Sequence, residues 1–299
     1  MKIGFIGLGR MGGNMVQRLL KDKHEIVVWD PLKTVVDAMA SKGAIASEGI
    51  EDLVLKLPPQ KIVWLMVPAG KIVDNTIAEL TKYMKTGDII IDGGNSKWND
   101  TIQRAETLNQ KSIHYIDCGT SGGLWGLENG YCLMYGGNKD ACDTCTPIFA
   151  SLTEPGGYLY CGESGSGHFV KMIHNGIEYG MMQSFAEGYE IMQKSPFNLD
   201  LQQISELWMH GSVIRSWLLE LIAKALKEDT NLASLQPHVD DSGEARWTIE
   251  TAMNLDVPTP AITASLYARF NSREKDSFAF KLLAAMRNQF GGHAVKKKE

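Results

Sequence analysis

Apolar residues in the first half of the chain fall in short runs broken by glycine; in the second half they recur at helical spacing. Ile3-Gly-Phe-Ile6 predicts a short strand, and Asn14 to Lys21 a helix with Met15, Val16, Leu19 and Leu20 inward. Glu25-Ile-Val-Val-Trp29 is a second strand, closed by Asp30. Lys61 to Met66 forms a strand running into Val67-Pro68-Ala69-Gly70, with a helix over Ile72 to Met84. Asp88 to Asp92 is a strand running into Gly93-Gly94-Asn95-Ser96, with a helix near Trp98 to Asn109. His114 to Asp117 leads to Cys118-Gly-Thr-Ser121-Gly122-Gly123, and Tyr131 to Tyr135 and Tyr158 to Tyr160 add short strands.

Strands that alternate with helices and end in small or polar residues predict an α/β Rossmann-type domain, a doubly wound sheet over residues 1–163. Helical periodicity takes over after Ser164 and predicts an all-α domain over 164–299. Its helices are expected over Gly167–Lys194, Leu201–Met209, Val213–Lys227, Thr248–Leu255 and Pro260–Phe270. A last one covers Ser277–Phe290, capped by Gly291-Gly292.

The first loop, Gly7-Leu8-Gly9-Arg10-Met11-Gly12, lies between a strand and a helix, and Asp30 ends the following strand. That order is what a dinucleotide site requires. Gly7 permits the turn, Gly9 lets the backbone approach a pyrophosphate, and Gly12 lets helix and strand pack closely; the phosphates sit at the positive end of the helix. A carboxylate at Asp30 accepts hydrogen bonds from adenosine ribose hydroxyls and repels a 2'-phosphate. With only Lys33 as a nearby cation, the expected cofactor is NAD, with NADP weaker. Ligands bind outside the carboxyl ends of such strands, so Val67-Pro68, Asn95 and Ser121-Gly122-Gly123 are expected to face one crevice.

In the helix expected from Gly167, Lys171, Asn175, Glu178 and Tyr179 lie at i, i+4, i+7 and i+8 and share a face, with His174 close to it. Phe169, Met172, Ile173, Ile177 and Met181 occupy the other side and can pack. A lysine, an amide, an acid and a phenol in line on a long apolar helix suggest a site; a merely solvated polar face is the alternative.

A chain of 299 residues with 44% hydrophobic and 22% charged content suits one large or two smaller globular domains. A net charge of -5 gives no reason to expect a nucleic-acid partner. No apolar run approaches the roughly 20 residues of a membrane span, and Met1-Lys2 leads directly into a strand without the pattern of a signal peptide. Five cysteines without a zinc pattern around Cys142-x-x-Cys145 suit a reduced, cytoplasmic protein with no metal. Asp240, Asp241 and Glu244 are expected to be surface acids.

Taken together, Gly7-Leu-Gly-Arg-Met-Gly12, Ile91-Asp-Gly-Gly-Asn95, Ser121-Gly-Gly123 and Gly167-His-Phe-Val-Lys171-x-x-His174-Asn175-Gly-Ile-Glu178-Tyr179 resemble decarboxylating 6-phosphogluconate dehydrogenase, a branch of the β-hydroxyacid dehydrogenase superfamily. The resemblance runs from Lys2 to about Val295 and is to the short-chain form, which lacks a duplicated helical half and is often NAD-linked. It implies oxidation of the C3 hydroxyl of 6-phosphogluconate, loss of CO2 and protonation of the enediol to ribulose 5-phosphate, as in the pentose phosphate pathway. It also implies that Lys171 is the base and then the cation that polarises the C3 carbonyl; burial beside an oxidised nicotinamide favours the neutral amine this requires. Glu178 is implied as the acid that protonates C1 of the enediol, about 10 Å further along the helix. Asn95, Ser121, Gly122, Gly123, His174 and Asn175 would hold the substrate or orient the nicotinamide, and Tyr179, Arg246 and Arg269 its phosphate. Arg246 stands where the family usually has lysine. Arg287 and His293 match a C-terminal pair that reaches the site from a partner subunit, which implies a homodimer or homotetramer with shared active sites. Two other readings remain open: another β-hydroxyacid dehydrogenase, of 3-hydroxyisobutyrate or tartronate semialdehyde type, and a non-catalytic module that senses NAD. Glu178 separates the first, since simple hydride transfer needs no such acid; Lys171, Asn175 and Glu178 on one face separate the second.

Overall fold

The computed structural model describes residues 1–291 and 294–296. The chain divides into two compact units, Met1–Asn175 and Gly176–Glu299.

In chain order the first unit runs β1 (Lys2–Ile6), α1 (Arg10–Lys21), β2 (Glu25–Trp29), α2 (Lys33–Ala40), β3 (Ile45–Ala46), α3 (Ile50–Leu55), β4 (Ile62–Leu65) and α4 (Lys71–Leu80). It continues with β5 (Ile89–Asp92), α5 (Trp98–Asn109), β6 (His114–Ser121), a 3-10 turn at Gly123–Trp125, α6 (Gly126–Asn129), β7 (Tyr131–Gly136), α7 (Lys139–Leu152) and β8 (Thr153–Gly162). The strands form one eight-stranded sheet in the order β3-β2-β1-β4-β5-β6-β7-β8. Every pairing is parallel except β6 with β7, whose antiparallel step follows from the short connection through α6. The order reverses between β1 and β4, which opens the ligand crevice of a doubly wound sheet at that point.

Alternation along each strand fills both faces of the sheet, because successive side chains point opposite ways. Ile3, Phe5, Ile26, Val28, Ile62, Trp64, Ile89 and Ile91 pack on one face with Met15, Val16 and Leu19 of α1 and Ile148 and Phe149 of α7. Ile6, Val27, Val63, Leu65, Ile90 and Tyr115 pack on the other with Leu53, Val73, Ile77 and Leu108 from α3, α4 and α5.

Helix α8 (Ser166–Lys194) starts in the first unit and continues into the second, which adds α9 (Leu201–Trp208), α10 (Trp217–Glu228), α11 (Glu244–Asn254), α12 (Pro260–Arg273) and α13 (Phe278–Gly291). The α/β-then-helical class agrees with the expectation, but several element ends move. α1 begins at Arg10, a turn before Asn14, so the loop's last glycine, Gly12, is already helical. β6 extends through Ser121, α10 starts at Trp217 behind the capping hydroxyl of Ser216, and α11 starts at Glu244. Ile177 and Met181, expected to pack, are 53% and 40% exposed. Gly292 and His293 lie outside the described residues.

Candidate active site

Leu8 and Asp30 join the two signatures of the first turn. The Leu8 N–H donates to Asp30 Oδ2 at 2.8 Å, and the Leu32 N–H to Oδ1 at 2.9 Å. The acid is thus aimed by the loop it serves, and each oxygen keeps a lone pair for a ribose hydroxyl. Gly7 sits at φ +95°, and a Cβ there would lie 2.3 Å from the Met66 carbonyl oxygen; a Cβ at Gly12 would lie 2.0 Å from the Gly7 oxygen. A Cβ at Gly9 would meet nothing within 4 Å. Gly9 is also the N-cap of α1, which has no side-chain cap and no acid in its first turn. Uncapped N–H groups facing open space fit a pyrophosphate. Arg10 and Met11 open the helix itself, and Val67 and Pro68 follow β4 at the switch point.

Two fully buried carboxylates stand in register on adjacent strands, Asp92 at the end of β5 and Asp117 in the middle of β6. Asp92 accepts from the Gly94 N–H (3.1 Å), Ser96 Oγ (2.7 Å) and Tyr115 Oη (2.7 Å), and so shapes the loop that carries Asn95. Burial, and then the neighbouring Asp92 charge, push the Tyr115 phenol well above its ordinary pKa, keeping it a donor. Asp117 accepts from the N–H groups of Gly165 (2.7 Å) and His168 (2.8 Å), capping α8 from a different element. A carboxylate there also faces the positive end of the helix dipole, an effect of about 1–2 kcal/mol in a buried setting. Gly119 completes the seating: a Cβ on it would lie 2.3 Å from Lys171 Cβ, so α8 can settle on β6 only because that side chain is missing.

Lys171 is thereby held in the first unit, 6% exposed, with Asn175 at 8%. Lys171 Nζ lies 3.4 Å from His174 Nδ1, which lies 3.0 Å from Asn175 Oδ1. His174 Nε2 lies 3.3 Å from Ser121 Oγ, at the carboxyl end of β6, with Gly122 and Gly123 following. The first unit therefore brings Ser121, Lys171, His174 and Asn175 together. His174 Nδ1 has either one proton or one lone pair, so it cannot accept from an ammonium and donate to Asn175 at once.

The second unit assembles a separate group. Tyr179 is 6% exposed, its hydroxyl accepts from the Ser242 N–H at 3.2 Å, and the Arg269 guanidinium stacks 3.5 Å from its ring centre. Arg269 also donates to the Asp240 carbonyl at 2.8 Å. Arg246 makes a forked pair with Asp241 at 2.8 and 3.1 Å and lies over the Phe270 ring. Arg273 donates to Asp241 Oδ2 at 3.0 Å. Of the three acids expected at the surface only Asp240 is exposed: Glu244 is buried, and the Asp241 side chain is 4% exposed, with hydrogen bonds from Arg246, then Arg273, holding its pKa below the ordinary value. Glu178 is half-buried on α8. Arg287 is exposed on α13, and His293 lies outside the described residues. Among the described residues no group of His, Cys, Asp or Glu could hold a metal ion, and no helix is long and apolar enough to cross a membrane.

Sequence reasoning passed over Asp117 and Arg273 and took Asp241 for a surface acid. An α8 start written Gly165-Ser-Gly, without an acid of its own, hints at a cap from elsewhere. Arg269 and Arg273 at i, i+4 on α12 could have been read as two cations on one face.

An open sheet with an uncapped glycine turn, an aimed acid after β2 and a buried lysine beside the strand ends defines a protein of the dinucleotide-binding class. A model of the NAD binding domain of 6-phosphogluconate dehydrogenase matches residues 2–162, and one of the 6-phosphogluconate dehydrogenase C-terminal domain matches 167–277 and 193–299. The chain belongs to the 6-phosphogluconate dehydrogenase family. It is 44% identical, over 100% of both chains, to the NAD(+)-dependent, decarboxylating 6-phosphogluconate dehydrogenase of Haloferax volcanii. It is 35% identical to the enzyme of the same description from Bacillus subtilis, over 92% of this chain and 62% of that protein. The 6-phosphogluconate dehydrogenase of Plasmodium falciparum, solved in its apo form and with NADP+ and 6-phosphogluconate, superposes with a TM-score of 0.83 at 30% identity, covering 100% of this chain and 67% of that one.

Proposed function

We propose that the protein catalyses the oxidative decarboxylation of 6-phosphogluconate to ribulose 5-phosphate and CO2, with NAD preferred over NADP. The observation that carries this reading is the cluster of Lys171, His174, Asn175 and Ser121 at the end of β6, in the unit that carries the nucleotide turn. The names of the relatives from Haloferax volcanii and Bacillus subtilis support the same substrate and cofactor.

Bound nicotinamide would accept the hydride from C3. Lys171, as the neutral amine, takes the C3 hydroxyl proton; as the ammonium it then polarises the new carbonyl while the C1–C2 bond breaks and its electrons pass into the enediol. In the tautomer that carries its proton on Nε2, His174 accepts from the Lys171 ammonium at Nδ1 and turns Nε2–H to Ser121 or substrate, and so steadies the charged lysine. Glu178 delivers the proton to C1 of the enediol. Tyr179, Arg246 and Arg269 bind the phosphate, whose charge and fork geometry suit guanidinium. Asp30 disfavours a 2'-phosphate and so sets the cofactor preference.

The helical domain, in this reading, also forms the contact between copies of the chain. Phe278, Phe280, Leu283 and Met286 of α13 are 75%, 67%, 51% and 45% exposed, an apolar surface that suits a second copy. Arg287 and His293 would then serve a shared site in a soluble, cytoplasmic homo-oligomer.

The test is reduction of NAD and NADP with 6-phosphogluconate, with released CO2 trapped. NADH and CO2 in equal amounts are expected, and Lys171→Met should lower kcat by about a thousandfold or more. Reduction without CO2 would remove Glu178 from its role. Turnover of 3-hydroxyisobutyrate in place of 6-phosphogluconate would move the chain to the other branch.

A further inference from the structure

The crevice loops of the first unit need a rigid base, and one buried cation lies beneath both. Arg104 of α5 is 8% exposed. Its Nε donates to Asp74 Oδ1 at 2.8 Å in the first turn of α4, and one terminal nitrogen donates to the Gly70 carbonyl at 3.4 Å. The other terminal nitrogen, fully buried and without a hydrogen bond, lies 3.9 Å from Asp92 Oδ2. Gly70 ends the loop Val67-Pro68-Ala69-Gly70, and Asp92 shapes the loop that carries Asn95.

We infer that Arg104 is a positioning residue for the nucleotide: it fixes the Val67–Gly70 loop against the Gly93–Ser96 loop and compensates the buried charge of Asp92. The inference deepens the proposed function, because it rests on those two loops lining the cofactor crevice. The guanidinium suits the task. Its planar fork reaches a carbonyl, an exposed acid and a buried acid in three directions from one rigid group, which an ammonium cannot do. Without it, Asp92 would remain buried with only neutral donors among the partners given above, and a loop tied to an uncompensated charge relaxes toward water. The expected result is a crevice whose two walls no longer hold their spacing. A misplacement on the order of 1 Å weakens ligand contacts substantially.

The test compares Arg104→Met, Arg104→Lys and Asp74→Asn with the parent chain. Readouts are NADH binding by fluorescence titration, the KM for NAD and for 6-phosphogluconate, kcat and Tm. Arg104→Met should weaken NADH binding and raise the KM for NAD by about tenfold, with a smaller rise of about twofold to threefold in the KM for 6-phosphogluconate through the Asn95 loop. Arg104→Lys should recover part of the loss. Asp74→Asn, on an exposed side chain, should give a shift of about twofold to threefold and keeps the idea testable if Arg104→Met does not fold. A lower Tm with unchanged NADH binding in the variants would overturn the assignment, since a purely structural residue behaves that way. An equal rise in both KM values would overturn it as well. If the parent chain binds NADH but leaves 6-phosphogluconate unreacted, the substrate reading fails and the binding comparison still decides the role of Arg104.

Discussion

The two units present positive charge by opposite means. In the first, the turn after β1 offers backbone N–H groups at an uncapped helix end, and its fixed charge, Asp30, points the other way. In the second, three arginines lie around Tyr179 and Phe270 and already hold acceptors: Arg246 and Arg273 on Asp241, Arg269 on the Asp240 carbonyl. A backbone site needs no counter-ion when empty, because its partial charges come from peptide dipoles. Guanidinium groups beside a buried acid are paired in the resting chain, and the phosphate proposed above would have to compete with or share that pairing. The contrast teaches that the nucleotide turn is specified by what is absent, a Cβ and an acid, whereas the arginine cluster is specified by what is present.

Substitutions at the glycine turn should break this contrast most strongly. Gly9→Val adds atoms where a Cβ meets nothing, so Tm should stay within a degree or two while NADH binding falls by roughly a hundredfold through steric loss of the pyrophosphate position. Gly12→Val drives a Cβ into the Gly7 carbonyl and should cost about 3 kcal/mol or more, seen as a Tm lower by several degrees. If both variants lost the same amount of stability, the first turn would not be a preformed cradle.

The arginine cluster should respond more moderately. Arg269→Ala is expected to raise the KM for 6-phosphogluconate by roughly tenfold to a hundredfold, the scale of one or two charge-assisted hydrogen bonds. Arg246→Lys keeps the charge but loses the fork and should raise it only a few-fold. Binding of NADH should not move in either variant. A change in NADH binding would remove the separation between the nucleotide turn and the proposed phosphate site.

The smallest effect concerns pH. His24 Nδ1 lies 3.3 Å from the Met1 ammonium and its Nε2 lies 2.8 Å from Ser151 Oγ. Burial, and then that ammonium, lower its pKa below the ordinary value, with Asp22 opposing. The unfolded chain therefore takes up the proton more readily. The contribution of His24 is complete above about pH 6.5 and is lost as pH falls through and below that value. Melting curves between about pH 7.5 and 5.5 should show Tm falling on acidification, less so in His24→Asn. An equal fall in both chains would show that His24 takes no part.

The strands were legible because alternation in Ile3 to Ile6, Ile62 to Leu65 and Ile89 to Asp92 supplies both faces of the sheet at once. The glycine turn was legible because its chemistry lies within one stretch of chain. The Lys171, Asn175 and Tyr179 spacing was legible for the same reason, and the structure buries all three. Ile177 and Met181 were misjudged because an apolar residue on a helix does not reveal whether its partner lies in the same chain.

By itself, the sequence determined the α/β-then-helical order, the nucleotide turn with its acid and the aligned face of α8, since each depends on local period and spacing. Only the tertiary structure decided that Asp117 caps α8 from β6, that the missing side chain of Gly119 seats Lys171, and that Asp241 gathers Arg246 and Arg273. Arg104 beneath two loops belongs with these. The physical reason is common to all four. A buried charge or a close approach is stable only when groups distant in the chain meet it, and their meeting is fixed by packing of whole elements rather than by any pattern within one.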